Sequence, residues 1–160
     1  MLNMKFSNIV LIFTIFSICS ISLAQNSPKD FLDAHNKART EVGVPPLKWN
    51  NTVAKYAQNY ADSKIKTCKM EHSYGPYREN LGVGYGELLG TDAVKMWLGE
   101  NPFYDHNSGK CVKEECLHYT QVVWSTSTHL GCARTRCDNG WVLVICNYDP
   151  PGNIIDLKPF

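Results

Sequence analysis

The chain has 160 residues, 44% of them hydrophobic, which is enough for one domain with a sizeable core. Sixteen basic side chains against 15 acidic ones leave a formal charge of +1. A balance this near neutral argues against electrostatic capture of nucleic acid or of an anionic membrane.

Residues 1–24 read as a secretory signal peptide. Lys5 gives a positive start, Ile9 to Cys19 is an apolar run, and Ser22-Leu23-Ala24 sets small residues before a cleavage point after Ala24. The run is short of the ~20 apolar residues of a spanning helix, and no later segment reaches that length, so no transmembrane anchor is expected. The expected mature chain starts at Gln25 and, without Lys5, is formally neutral.

Ser27, Pro28 and Asp30 form a helix start of capping-box type. Phe31, Ala34, His35, Ala38 and Val42 follow on one face, and Gly43 ends the helix. Asn50 caps a second helix with an apolar stripe of Val53, Ala54, Ala57, Tyr60 and Ala61, fading near Lys64 to Lys66. Thr67 to Gly90 reads as loop, with an extended piece near Glu79 to Gly84. Thr91 is the expected cap of a third helix that buries Ala93, Val94, Trp97 and Leu98. Asn101 to Lys110 is turn-rich. Tyr119 to Trp124 fits a strand by propensity and a helix by spacing. Leu130 to Arg136 and Trp141 to Asn147 read as antiparallel strands about Asp138-Asn139-Gly140. Asp149 to Phe160 is a Pro-rich tail without regular structure. Helices first and strands later give an α+β single domain.

Beyond Cys19, six cysteines remain: Cys68, Cys111, Cys116, Cys132, Cys137 and Cys146. An even number in a secreted chain reads as three disulfides, and spacing alone leaves their pairing open. No C-x-x-C pair starts a zinc ribbon. Asn50-Asn51-Thr52 is an N-glycosylation sequon at Asn50, the same side chain that serves as a helix cap.

No catalytic signature of a hydrolase, metalloprotease or nucleotide-binding loop is present. His72, Glu79, Glu100 and His118 are the candidates for chemistry. Two imidazoles with carboxylates suit a first-row metal, zinc above all, and the carboxylates can instead hold the imidazoles or activate water. The plainer alternatives are a hydrogen-bonded polar cluster or four unrelated surface residues. His35 reads as a packing histidine, and His106 and His129 as lesser candidates. Trp97, Trp124 and Trp141 read as core. Phe103 and Tyr104, a greasy pair in a turn-rich loop, suit the wall of an apolar pocket.

The stretches FLDAHNKAR, PPLKWN, HSYGPYRENL, CLHYTQVVW, LGCARTRC and VICNYDPPGN, in this order, resemble the CAP superfamily. Within it they are similar to the plant class-one pathogenesis-related proteins, over nearly all of Gln25 to Phe160. The resemblance implies an α-β-α sandwich with a central antiparallel sheet and the disulfides Cys68–Cys137, Cys111–Cys116 and Cys132–Cys146. It implies that His72, Glu79, Glu100 and His118 share a cleft, where some members carry zinc at the histidines; no cofactor is required. It further implies secretion to the apoplast, action against fungi and oomycetes, and sterol or other lipid as partner, with Trp97, Phe103 and Tyr104 in the binding region. A peptide released between Asp149 and Pro150, with a receptor of its own, is the second implied role. A monomer is expected. Arg78 departs from the subgroup's usual Gly, and its position beside Glu79 suggests an acid partner in the cleft. Leu117, His106 and Phe160 also depart from the usual residues.

Four functions compete on this reading. A secreted binding protein that captures sterol leads. A precursor of an immune-signalling peptide follows, then a zinc hydrolase using Glu79 or Glu100 as base, and a structural role in the cell wall.

Overall fold

Ser27 accepts the amide of Asp30 while Asp30 accepts the amide of Ser27, and this reciprocal cap opens helix α1, Pro28–Glu41. The structure, a computed structural model, describes residues 26–160. The expected leader and its cleavage point at Ala24 lie outside the described residues. Strand β1 is Lys48–Trp49, and α2 is Asn51–Ser63, capped by the Asn50 side chain on the amides of Thr52 and Val53. Strand β2 (Arg78–Tyr85) leads to α3 (Gly90–Leu98). The cap of α3 is Leu89 and not Thr91. The carboxamide oxygen of Asn26 accepts the Gly90 amide at 2.7 Å, so a residue far back in the chain does the capping.

The turn-rich segment after α3 is more ordered than its composition suggests. A 3₁₀ turn, Asn101–Phe103, runs into a small hairpin of β3 (Tyr104–Asp105) and β4 (Lys110–Cys111). Asp105 shapes it by accepting the amides of Asn107 and Ser108. The ambiguous stretch after it is helical: α4 is Leu117–Val122. Strands β5 (His129–Arg136) and β6 (Trp141–Asp149) close the chain, and the segment after β6 has no regular structure, as expected.

The main sheet has the order β1-β5-β6-β2. It is antiparallel except for the two-residue β1, which pairs in parallel with β5. Strand β6 is central and buried from Val142 to Tyr148. Its side chains alternate between faces, as the strand period of two requires. Val142, Val144, Cys146 and Tyr148 join the core under α1, α3 and α4. Leu143 and Ile145 join a second core under α2, with Ala57, Ala61, Leu81 and Ala133. Helices therefore cover both faces, giving the α-β-α sandwich. Helix α2 sits so close to β5 that a Cβ on Gly131 would lie 2.1 Å from the backbone nitrogen of Ala54.

All three disulfides pair as the resemblance implied: Cys68–Cys137, Cys111–Cys116 and Cys132–Cys146. Trp97 and Trp124 are core, but Trp141 is 42% exposed. It starts β6 directly opposite Tyr85 and packs edge-on against that ring, at the end of the strand pair.

Candidate functional site

One cleft of about 790 Å³ opens where the loop before β2, the β3–β4 hairpin, the first turn of α4 and the C-terminal tail converge. His72, Glu79 and His118 line it. Glu79 is buried, and its carboxylate is fully engaged. It accepts the Ser73 amide at 2.8 Å, the Asn147 carboxamide at 3.1 Å, the Ser73 hydroxyl, and His72 Nδ1 at 3.2 Å. Glu100 holds the other imidazole, accepting His118 Nδ1 at 2.6 Å. It also accepts the amides of His118 at 2.9 Å and Tyr119 at 3.2 Å. Those amides belong to the first turn of α4, so Glu100 caps that helix and complements its dipole.

The site is thus two separate pairs, His72–Glu79 and His118–Glu100, and Glu79 does not meet His118. The strand period explains why. Glu79 and its neighbour Asn80 point to opposite faces of β2. Glu79 turns to the α2 side with Leu81. Asn80 turns to the other side, where its amide donates to the His118 carbonyl at 3.0 Å and the Tyr148 hydroxyl at 3.1 Å. From Tyr148 the network continues inward. The hydroxyl meets His35 Nε2 at 2.9 Å, and His35 Nδ1 donates to the Phe31 carbonyl at 2.7 Å. Burial holds His35 down to about 4, and burial also pushes the Tyr148 phenol well up.

Each cleft histidine donates from Nδ1 to a carboxylate, which leaves Nε2 as the free acceptor. This is the orientation that a carboxylate gives a metal-binding imidazole. A fit to zinc is partial. Two imidazole nitrogens are on offer, against the four ligands of a closed site, and both carboxylates are committed elsewhere. Among the described residues no group of three or more His, Cys, Asp or Glu side chains is placed to hold a metal ion.

The other residues singled out in the sequence divide around this cleft. Tyr104 lines it. Phe103 is half-buried against the core. Trp97 is 2% exposed, donates to the Leu81 carbonyl at 2.9 Å, and stacks behind His118 with ring centroids 6.4 Å apart. His106 is exposed on the hairpin, 5.1 Å from the Phe160 ring, and His129 opens β5 beside the Thr128 hydroxyl. Among the described residues Arg78 has no acid partner. Its guanidinium donates to the tail carbonyls of Gly152 at 3.0 Å and Asn153 at 3.3 Å.

The tail itself is what sequence reasoning missed. Ile154, Ile155, Leu157 and Pro159 form a wall of the cleft. The signal for it was present: three large apolar residues in a Pro-bounded segment with no strand or helix pattern to use them. Ser73, Asn80 and Asn147, which fix the polar floor, carry no signal beyond standing beside a candidate residue. A second groove of about 560 Å³ runs between α1 and α3 over Ala34, Ala38, Val94 and Leu98.

Residues 32–148 match the family model of the cysteine-rich secretory proteins, CAP. The chain belongs to the CAP family. Its relatives include the basic form of pathogenesis-related protein 1 of Nicotiana tabacum, 54% identical over 155 residues, 96% of this chain and 88% of the relative. Pathogenesis-related protein 1A1 of Solanum lycopersicum is 52% identical over 96% of this chain and 88% of its own length. Among solved structures, BmVAL-1 shares the CAP fold with a TM-score of 0.71 at 23% identity, over 87% of this chain and 85% of that one. Schistosoma mansoni venom allergen-like protein 4 does so at 0.64 and 27%, over 82% and 92%.

Proposed function

We propose that this CAP protein is a secreted plant defence protein whose act is binding, with sterol or another lipid as the ligand. The observation that carries this reading is the two-sided character of the cleft. Tyr104, Leu117 and the tail's Ile154, Ile155 and Leu157 supply the apolar part of the lining, and the imidazoles of His72 and His118 with the amide of Asn80 supply a polar part, beside the charged Arg78, Lys110 and Glu115. A steroid has the same division, a large apolar body with one hydroxyl. Its volume suits a cleft of this size, within the ~300–1,000 Å³ usual for small-molecule sites. Apolar burial at ~25 cal/mol per Å² provides affinity, less the cost of ordering. Trp97 and Phe103 do not line the cleft: Trp97 stacks behind His118 and Phe103 packs on the core that carries Tyr104. In this reading capture of sterol deprives a sterol-dependent fungus or oomycete. Secretion to the apoplast rests on the leader pattern and on the disulfides; among the described residues no helix is long and apolar enough to cross a membrane.

Titration of the mature protein with a fluorescent sterol tests the reading. Saturable binding is expected, weakened about tenfold in Ile155→Asp, which changes an 86% exposed side chain and leaves the core alone. The double variant Phe103→Ala with Tyr104→Ala is expected to weaken it further. Absence of saturable binding, or affinity indifferent to these changes, sinks the lipid reading.

A second reading, release of Pro150–Phe160 as a signal peptide for a receptor, is favoured by where the tail begins. It lies beyond Cys146 and beyond β6, so a cut before Pro150 leaves every disulfide and strand intact. Mass spectrometry of apoplastic fluid after pathogen challenge is expected to find a fragment starting at Pro150; consistent absence counts against release.

A further inference from the structure

The tail is fastened near its start and near its end, and at its first residue the Ser127 hydroxyl donates to the Pro150 carbonyl at 2.8 Å. Near its start, Arg78 donates to the carbonyls of Gly152 and Asn153. Asn153 then grips the first turn of α4 with both ends of its side chain. Its amide donates to the Leu117 carbonyl at 2.8 Å, and its oxygen accepts the Thr120 hydroxyl at 2.7 Å. Near the end of the tail, Lys158 donates to the carbonyls of His106 and Asn107, Pro159 accepts the Ser125 amide at 2.8 Å, and the Phe160 ring packs by His106 and Tyr104. Between these fastenings lie Ile154, Ile155 and Leu157, the apolar wall, with Ile155 86% and Leu157 60% exposed. Side chains this apolar and this exposed do not hold the segment down by burial; the polar fastenings do.

The inner fastening joins two things that are remote in sequence. Leu117 and Thr120 bracket His118, the cleft histidine. A six-residue helix has little stability of its own, so its first turn depends on what is bonded to it. We propose that the C-terminal tail is a clamped wall of the cleft, coupled through Arg78 and Asn153 to the first turn of α4, so that tail and helix turn loosen together. Detaching the tail then removes the apolar wall and one of the supports of the turn that carries His118 in one event, leaving the bonds of Glu100 and Asn80 to that turn in place. By reciprocity, anything seated against both holds the tail in place. This inference does not depend on what the cleft binds.

Two readouts on the full mature chain test it. Tail detachment is the rate of cutting by subtilisin within residues 150–160. Loosening of α4 is amide exchange over residues 117–123 by mass spectrometry, with β5 and β6 as internal reference. Arg78→Gly is expected to raise both rates about tenfold while the reference stays put, since the open population sets both rates when reclosing is fast. Asn153→Ala, which breaks the grip on α4 directly, is expected to do the same and stands in if Arg78→Gly disturbs the reference strands. Lys158→Ala loosens only the far end, so it is expected to speed cutting near Phe160 and leave α4 unchanged. Faster tail cutting with α4 exchange unmoved in Arg78→Gly and Asn153→Ala overturns the coupling, as does an equal effect of Lys158→Ala on α4.

Discussion

His35 keeps both of its ring hydrogen bonds most simply as the neutral imidazole, donating from Nδ1 to Phe31 and accepting at Nε2 from Tyr148. Its folded-state value of about 4 lies below the ~6.5 of an unfolded histidine. Between those two values the unfolded chain binds a proton that the folded chain refuses. Stability therefore falls as pH drops from about 6.5 toward about 4, by on the order of 3 kcal/mol from this group. Urea unfolding across that window is expected to show the loss, and His35→Gln is expected to flatten its slope whatever it does to stability at pH 7. An unchanged slope in the variant assigns the acid sensitivity to other groups. The sequence made His35 legible as a packing residue because it falls on the apolar stripe of α1. It did not reveal Arg39, which is fully buried four residues on. Arg39 donates to the carbonyls of Pro45, Val122, Trp124 and Ser127, pinning α1 to the exit of α4. A charged residue paired only with backbone carbonyls leaves no mark in a pattern of side-chain types.

Elements with their signals close by were legible, and elements defined by distant partners were not. The capping box of α1, the Asn50 cap of α2 and the Gly-containing turn between β5 and β6 are all local, and each stands where the sequence placed it. Helix α4 is the opposite case. Its segment, Leu117 to Trp124, is rich in residues that favour strands. Its first turn is stabilised from elsewhere, by Glu100 on its amides, Asn153 on its carbonyl, and a disulfide ending at Cys116. Glu100→Ala is therefore expected to lower stability by about 1–2 kcal/mol, the usual value of a helix cap with a charge at the dipole. Glu115→Ala, an exposed acid just before the same helix, is expected to change it by less than about 0.5 kcal/mol. Equal urea midpoints for the two variants contradict the capping role. Thr91 shows the same limit, since the real partner of the α3 start is Asn26.

The described residues form a sheet with a core on each face, and the candidate site lies at the first end of β2, where Glu79 turns to one face and Asn80 to the other. The four polar residues were legible as a set through their motifs; His72, Glu79 and His118 line the cleft, and Glu100 reaches it only through its bond to His118. Their pairing was not legible, because it turns on Glu79 and Asn80 facing opposite sides of one strand. Nor was the apolar wall, because a tail beyond the last strand has no periodicity to betray what it packs on. The central claim, that lipid occupies the cleft between this wall and the histidines, is tested most directly by photo-crosslinking. A diazirine-bearing sterol bound to the mature protein would be irradiated and the labelled residues located by mass spectrometry. The account predicts labels on Tyr104, Leu117 and residues 154–159, suppressed by excess unlabelled sterol. Labels confined to the groove between α1 and α3, around Ala34 and Leu98, or labels that excess sterol does not suppress, would contradict it.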